Sequence, residues 1–220
     1  MSPLADRVAQ LRTRIRQACA ACGREPGEIE LLPVSKHQPL TLIREAAGLG
    51  FATFGENYVQ EGLLKAAEAP ELRFVLIGPL QRNKARPALA HFQELMTVDR
   101  PELATRLRLL AAELELVRPI WLQVDLWDET SKLGGCSEAG LTAVLAALGD
   151  DPRLPIQGFM AIPPPSESQA FRTLAALRDV HQQRLGRPLR LSMGMSSDLE
   201  AAIAAGCDQV RIGTAFFGER

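Results

Sequence analysis

Lys36 stands behind an apolar run, Leu31-Leu32-Pro33-Val34, with Ser35 between them. At the end of a strand this placement would carry the ammonium at the rim of a hydrophobic interior. Desolvation there lowers a lysine pKa, and a partly neutral amine can condense with an aldehyde to a Schiff base. A lysine taken alone is far more often a solvated surface residue, so the reading depends on partners. Near the other end of the chain, Ser192-Met193-Gly194-Met195-Ser196 and Arg211-Ile212-Gly213-Thr214 both combine glycine with hydroxyl residues. That composition suits a phosphate, which is held by backbone N–H groups, hydroxyls and a helix N-terminus. Ser196 and Ser197 precede Asp198-Leu199-Glu200 and also read as the cap of a helix; a cap there leaves other helix N–H groups to face an anion. Arg211 lies in an otherwise apolar stretch two residues before Gly213, so both point to the same side of a strand. Its guanidinium needs an acceptor, either on a ligand or on a carboxylate such as Asp125.

These residues meet only if the elements carrying them share one end of one sheet. Short runs rich in Val, Ile, Leu and Phe alternate with longer stretches of helical period, the pattern of βα units and a parallel sheet. Strands are expected at Glu30–Ser35, Phe51–Phe54, Arg73–Ile77, Glu94–Val98, Pro119–Val124, Leu154–Phe159, Arg190–Met193 and Gln209–Ile212. Helices are expected at Leu40–Gly48, Glu102–Glu115, Ser137–Leu148, Ser166–Leu185 and Asp198–Ala205. An opening helix carries the stripe Leu4, Val8, Leu11, Ile15, Cys19. A doubly wound open sheet uses the same alternation, but the strand count favours a closed α/β barrel of the (β/α)8 TIM type.

In such a barrel, active groups come from the C-terminal ends of the strands. The rule gathers Lys36, Gly55-Glu56-Asn57-Tyr58, Gly78-Pro79-Leu80-Gln81, Asp99, Asp125 with Lys132-Leu133-Gly134, Met160-Ala161, Ser196, Arg211, Gly213 and Thr214. The chain reads as one barrel domain over residues 1–220, with residues 1–28 mainly an N-terminal helix. Pro163-Pro164-Pro165 reads as a stiff loop rather than a domain joint, and the chain ends soon after the last strand.

A chain of 220 residues, 46% hydrophobic, can bury one substantial core. With 25 basic and 26 acidic side chains the net charge of -1 gives no general attraction to nucleic acid or anionic membranes, so any anion site is local. Charges every few residues in the first segment exclude a signal peptide or membrane span, and a cytoplasmic location is expected. Cys19 and Cys22 have C-x-x-C spacing but fall in a helical pattern, and Cys136 and Cys207 form no second pair. His37, His91 and His181 lack ligand spacing, so no metal site is expected.

Seven stretches carry a family resemblance: LLPVSK (Leu31–Lys36), FGENYVQE (Phe54–Glu61), IGPLQRNK (Ile77–Lys84), SKLG (Ser131–Gly134), GFMAIPPP (Gly158–Pro165), LSMGMSSDLEAAIAAG (Leu191–Gly206) and VRIGTAFFG (Val210–Gly218). In order and over almost the whole chain, they resemble the pyridoxal 5'-phosphate (PLP) binding homeostasis family, the YggS/PROSC-like proteins. The resemblance implies a barrel like the N-terminal domain of alanine racemase, with PLP as cofactor. The protein would act as an intracellular carrier or buffer of that vitamin B6 form rather than as an enzyme. Lys36 then matches the Schiff-base lysine and Asn57 the asparagine beside the cofactor ring. Ser196, Gly213 and Thr214 match the phosphate cradle, Arg211 the residue facing the pyridine nitrogen, and Lys132 a second lysine near the mouth. PLP-dependent apoenzymes are the implied recipients, and a monomer is expected.

One departure stands out. The family pattern has Trp-His ahead of the Ile-Gly-Pro-Leu-Gln segment, whereas this chain has Phe74-Val75-Leu76, so that imidazole is absent. The alternative is a PLP-dependent racemase or decarboxylase on the same barrel. Such enzymes need a second domain and an opposed acid/base pair. Tyr58, the single tyrosine, falls in the FGENY loop rather than opposite Lys36.

Overall fold

Ser2 caps the first helix, its Oγ accepting from the Ala5 N–H at 3.2 Å; Pro3 opens it and Gly23, at φ 70°, ends it in the left-handed conformation. This helix, α1 (Pro3–Cys22), buries Leu4, Val8, Leu11, Ile15 and Cys19, the expected stripe, while Cys22 is exposed. The computed structural model describes residues 2–125, 127, 134–163 and 169–219. After α1 come β1 (Glu30–Pro33), α2 (Leu40–Gly48), β2 (Thr53–Glu56), α3 (Val59–Glu68), β3 (Arg73–Leu76), α4 (Ala85–His91), β4 (Glu94–Val98) and α5 (Pro101–Glu113). They are followed by β5 (Ile120–Gln123), α6 (Glu138–Leu148), β6 (Ile156–Met160), α7 (Ala170–Leu185), β7 (Arg190–Ser192), α8 (Leu199–Ala204), β8 (Gln209–Ile212) and α9 (Thr214–Phe217).

All eight strands run parallel, each beside the next in sequence, and β1 pairs with β8 from Glu30↔Gln209 to Pro33↔Ile212. The remaining seam, between β1 and β2, is joined by the bridge Val34↔Gly55, with the Ser35 N–H donating to the Gly55 carbonyl at 2.9 Å. The sheet is therefore a barrel and not the open doubly wound alternative. Side chains alternate along each strand, which divides the core in two. Leu32, Val34, Val75, Ile77, Met96, Trp121 and Met160 pack together inside the barrel, and a larger cluster lies between the strands and the helices. Val75, which replaces the expected imidazole, belongs to the inner cluster and is buried.

The strand and helix expectations hold with shifts that have physical causes. The second strand begins at Thr53 rather than Phe51, because the Phe51 ring packs edge-on against Phe216 (centroids 4.9 Å apart) beneath Arg12. The sixth begins at Ile156 rather than Leu154; Pro155, with no N–H, cannot donate to the ladder. Three helices are absent from the expected set: the four-residue α9, and α3 and α4, which carry Gly62 and Pro87, residues that blur a helical period. The expected start of the seventh helix at Ser166 lies outside the described residues, where α7 is seen from Ala170. Among the described residues no helix is long and apolar enough to cross a membrane.

Candidate functional site

At the C-terminal ends of the strands lies a cavity of about 490 Å³, lined by Val34, Lys36, Asn57, Ile77, Ile162, Met195, Ser196, Ser197, Arg211, Gly213 and Thr214. All six residues singled out from the sequence, Lys36, Asn57, Ser196, Arg211, Gly213 and Thr214, thus meet on one wall set. They come from the ends of β1, β2, β7 and β8, which adjoin because β1 closes against both β2 and β8. Lys132 lies outside the described residues.

Arg211 is 5% exposed. Its Nη1 donates to Ser192 Oγ at 2.8 Å and its Nη2 to the Ala161 carbonyl at 2.7 Å; Ser192 Oγ in turn donates to Gln209 Oε1 at 2.8 Å. Among the described residues no carboxylate pairs with it, and Asp125 instead accepts from the Trp127 N–H. The carboxylate alternative is therefore not met among the described residues, and the oxygens that do accept are neutral and neutralise no charge. Burial pushes the Arg211 pKa down to about 10, with Asp198 and Cys207 opposing, and the group stays cationic at neutral pH.

Ser196 and Ser197 sit in a turn rather than capping a helix. The Asp198 N–H donates to the Met195 carbonyl at 3.4 Å, and the Met195 N–H donates to Asp198 Oδ1 at 2.5 Å. The helix that follows, α8, starts at Leu199 with Asp198 as its N-cap residue, one to two residues beyond the expected start, and is six residues long. The capping role expected of Ser196 and Ser197 is thus not met, and Asp198 makes no side-chain cap hydrogen bond either. Gly213 and Thr214 instead enter the four-residue α9, which was not foreseen. Two arginines of α1 brace these segments. Arg14 Nη2 donates to the Ser196 carbonyl at 3.1 Å, and Arg7 donates to the carbonyls of Phe216 and Phe217 at 3.0 and 2.9 Å.

On the opposite wall, Asn57 Oδ1 is buried and has no hydrogen-bond partner among the described residues. Its backbone is fixed by Gly78: a β-carbon there would stand 2.0 Å from the Asn57 carbonyl oxygen, so glycine permits the close approach.

Behind Lys36 lies an ionic cluster whose importance the sequence did not disclose. Lys65 Nζ donates to Glu56 Oε1 (2.7 Å), Glu61 Oε1 (2.7 Å) and the Ser35 carbonyl (2.6 Å), which uses all three of its protons. Ser35 Oγ donates to Glu56 Oε1 at 2.6 Å, and the His37 N–H donates to Glu61 Oε1. Burial raises the pKa of Glu56, with Lys65 and Ser35 pulling it back. For Glu61 the upward effect of burial is outweighed by hydrogen bonds from Lys65 and the His37 N–H, and its pKa is lowered. His37 adopts φ 58°, unusual for a residue with a β-carbon. The four-residue spacing of Glu61 and Lys65 was the available signal, but it is also that of an ordinary solvated helix pair.

The model of the alanine racemase N-terminal domain matches residues 7–220. A pyridoxal phosphate homeostasis protein of Pseudomonas aeruginosa is 44% identical over 225 residues, covering 100% of this chain and 97% of that protein. A protein of the same name from Escherichia coli K12 is 44% identical over 232 residues, with 100% and 98% covered. Among solved structures, PipY of Synechococcus elongatus PCC7942 is 37% identical over 98% of this chain and 100% of its own. It superposes with a TM-score of 0.87 without PLP and 0.85 with PLP bound.

Proposed function

Because this chain belongs to the pyridoxal phosphate homeostasis proteins, built on the alanine racemase N-terminal domain, we propose that it binds PLP and carries it for PLP-dependent apoenzymes. The observation that carries the reading is the meeting of an amine, a buried cationic guanidinium, three hydroxyls and an amide oxygen with no partner among the described residues, all in one cavity made by the first and last strands. About 490 Å³ is ample for a small aromatic phosphate ester, within the usual range of ligand pockets.

The donor set fits the group. Lys36 is half-buried and lines the cavity. PLP would supply an aldehyde, and Lys36 would be the residue that holds it, through its amine. Ser196, Gly213 and Thr214 would hold the phosphate through hydroxyl and backbone N–H donors, charge-assisted bonds that whole-protein charge cannot replace. Asn57 would lie beside the ring, its Oδ1 open to a donor. Arg211, protonated and able only to donate, would face the pyridine nitrogen and keep it unprotonated, which makes a weaker electron sink than a pyridinium. That choice of partner disfavours chemistry that relies on a strong electron sink.

Borohydride reduction of the PLP-loaded protein followed by peptide mapping is the test. One pyridoxyl adduct on Lys36 is expected, and Lys36→Ala should abolish the visible band while keeping part of the non-covalent affinity. An unchanged band in that variant would place the aldehyde on another lysine. Racemase, decarboxylase and transaminase assays of the loaded protein are expected to give nothing above the slow background of PLP itself. Turnover on the order of 1 per second would overturn the carrier reading in favour of an enzyme.

A further inference from the structure

Lys36 sits between two peptide groups that are both held by charged side chains of one neighbouring segment. On its N-terminal side the Ser35 carbonyl accepts from Lys65 Nζ at 2.6 Å, the Ser35 N–H donates to the Gly55 carbonyl at 2.9 Å, and the Ser35 hydroxyl donates to Glu56 at 2.6 Å. On its C-terminal side the His37 N–H donates to Glu61 Oε1, and His37 Nδ1 stands 3.4 Å from Glu61 Oε2. Lys65 ties the two carboxylates together, at 2.7 Å from each. None of these three side chains lines the cavity. A hydrophobic core could anchor the end of β1 at lower desolvation cost, since a buried ion pair rarely improves stability over apolar packing. What an ionic cluster adds is direction: its donors and acceptors fix the two peptide planes on either side of one residue, and so the direction of that residue's Cα–Cβ bond. The φ of 58° at His37 is the backbone cost of turning the chain sharply, a turn in which the Gln38 N–H donates back to the Ser35 carbonyl at 3.0 Å.

We propose that Glu56, Glu61 and Lys65 are positioning residues for Lys36, clamping the peptide groups on either side of it so that its amine is presented to the cavity in one orientation. The inference rests on the PLP reading above and deepens it. Loading should then depend on residues that never touch the ligand, because a nucleophile displaced by about 1 Å loses up to about 100-fold in rate.

Two variants test the clamp. Glu61→Ala removes the acceptor of the His37 N–H and leaves the Lys65–Glu56 pair in place. Lys65→Met combined with Glu56→Gln removes the Ser35 carbonyl anchor without leaving a buried charge unpaired. Three measurements are made on each and on the parent protein: the rate at which the PLP band forms, amide hydrogen exchange across residues 34–38 in PLP-free protein, and equilibrium affinity for pyridoxine 5'-phosphate, which has no aldehyde. The expected result is faster exchange, band formation slowed about 10- to 100-fold, and unchanged affinity for pyridoxine 5'-phosphate. Glu61→Gln, which keeps an acceptor, should restore most of the rate. Equal loss of both ligands would mean that the cluster shapes the whole cavity, and unaltered loading would mean that it only stabilises the fold; either overturns the clamp. If the parent protein takes up neither ligand, the PLP reading itself falls and the clamp falls with it.

Discussion

A β-carbon added at Gly213 would stand 3.7 Å from Val34 Cβ and 3.8 Å from the Val34 carbonyl oxygen, ordinary contact distances, and the residue's φ of -101° is not left-handed. Gly194 is different: its φ is 89° and a β-carbon would fall 2.5 Å from Ala202 Cβ, so packing and backbone both demand glycine. At Gly213 the added carbon meets another residue of the cavity wall, and the fold should accept it. Gly213→Val is therefore expected to fold, as circular dichroism can verify, and yet to retain PLP less well than Thr214→Ala in equilibrium dialysis. The latter loses one hydrogen bond to a charged group, worth roughly 1.5–3 kcal/mol. If Thr214→Ala loses PLP and Gly213→Val keeps it, the phosphate has been placed on the wrong strands. Residues such as Lys36 and Arg211 were legible because each interrupts or ends an apolar run, where a charge asks for an explanation. Glu61 and Lys65 were not, since a Glu and a Lys four apart on a helix look the same whether they face water or grip a neighbouring backbone. Arg211 also shows the limit of pairing rules: sequence left a ligand or a carboxylate as its acceptor, and the fold supplies a hydroxyl and a carbonyl from the protein itself.

At Gly158, in the middle of β6, a β-carbon would lie 1.9 Å from the carbonyl oxygen of Arg190 and 2.6 Å from its nitrogen, so the β6–β7 pair closes over a site with no room for a side chain. The obstruction is backbone on a strand held on both edges, and it cannot swing aside. Gly158→Ala should destabilise the protein by about 1–3 kcal/mol, the usual cost of overpacking. Urea denaturation measures it, and a change within error would mean that the barrel relaxes there more easily than its parallel ladder suggests. Element types were legible wherever the period was strong. β4, α2 and β8 have the expected bounds, because apolar runs or stripes there are ended by turn residues. α3 was hidden by Gly62, which is required by the Phe92 ring, 2.3 Å from where its β-carbon would be. That demand comes from a residue thirty positions away in sequence, and no local pattern records it. α9 was too short to show a period at all.

Eight strand-like runs implied closure, and closure then placed every residue of the cavity; what no count could supply was how fully each seam is paired. Pairing is extensive between β1 and β8 but rests on one bridge between β1 and β2, reinforced by the Ser35 N–H and the cluster above it. The site stands over that seam, with Asn57 at the end of β2 on one side and Lys36 and the last strands on the other. A near-neutral chain has no long-range field with which to gather a phosphate, so the assembled wall is the whole of the attraction. The pairing of first strand with last also has a consequence in time. A chain emerging from the ribosome releases β1 first and must keep its edge unsatisfied until β8 appears, since the partner of Glu30 is Gln209. During that interval Lys36 exists as an ordinary lysine on an unfinished sheet, with no cradle across from it. Capacity to take up the cofactor would then arrive in a single step when the ring closes. Nascent chains would be blind to PLP, and each finished molecule would enter the pool empty, drawing cofactor down from the moment its synthesis ends.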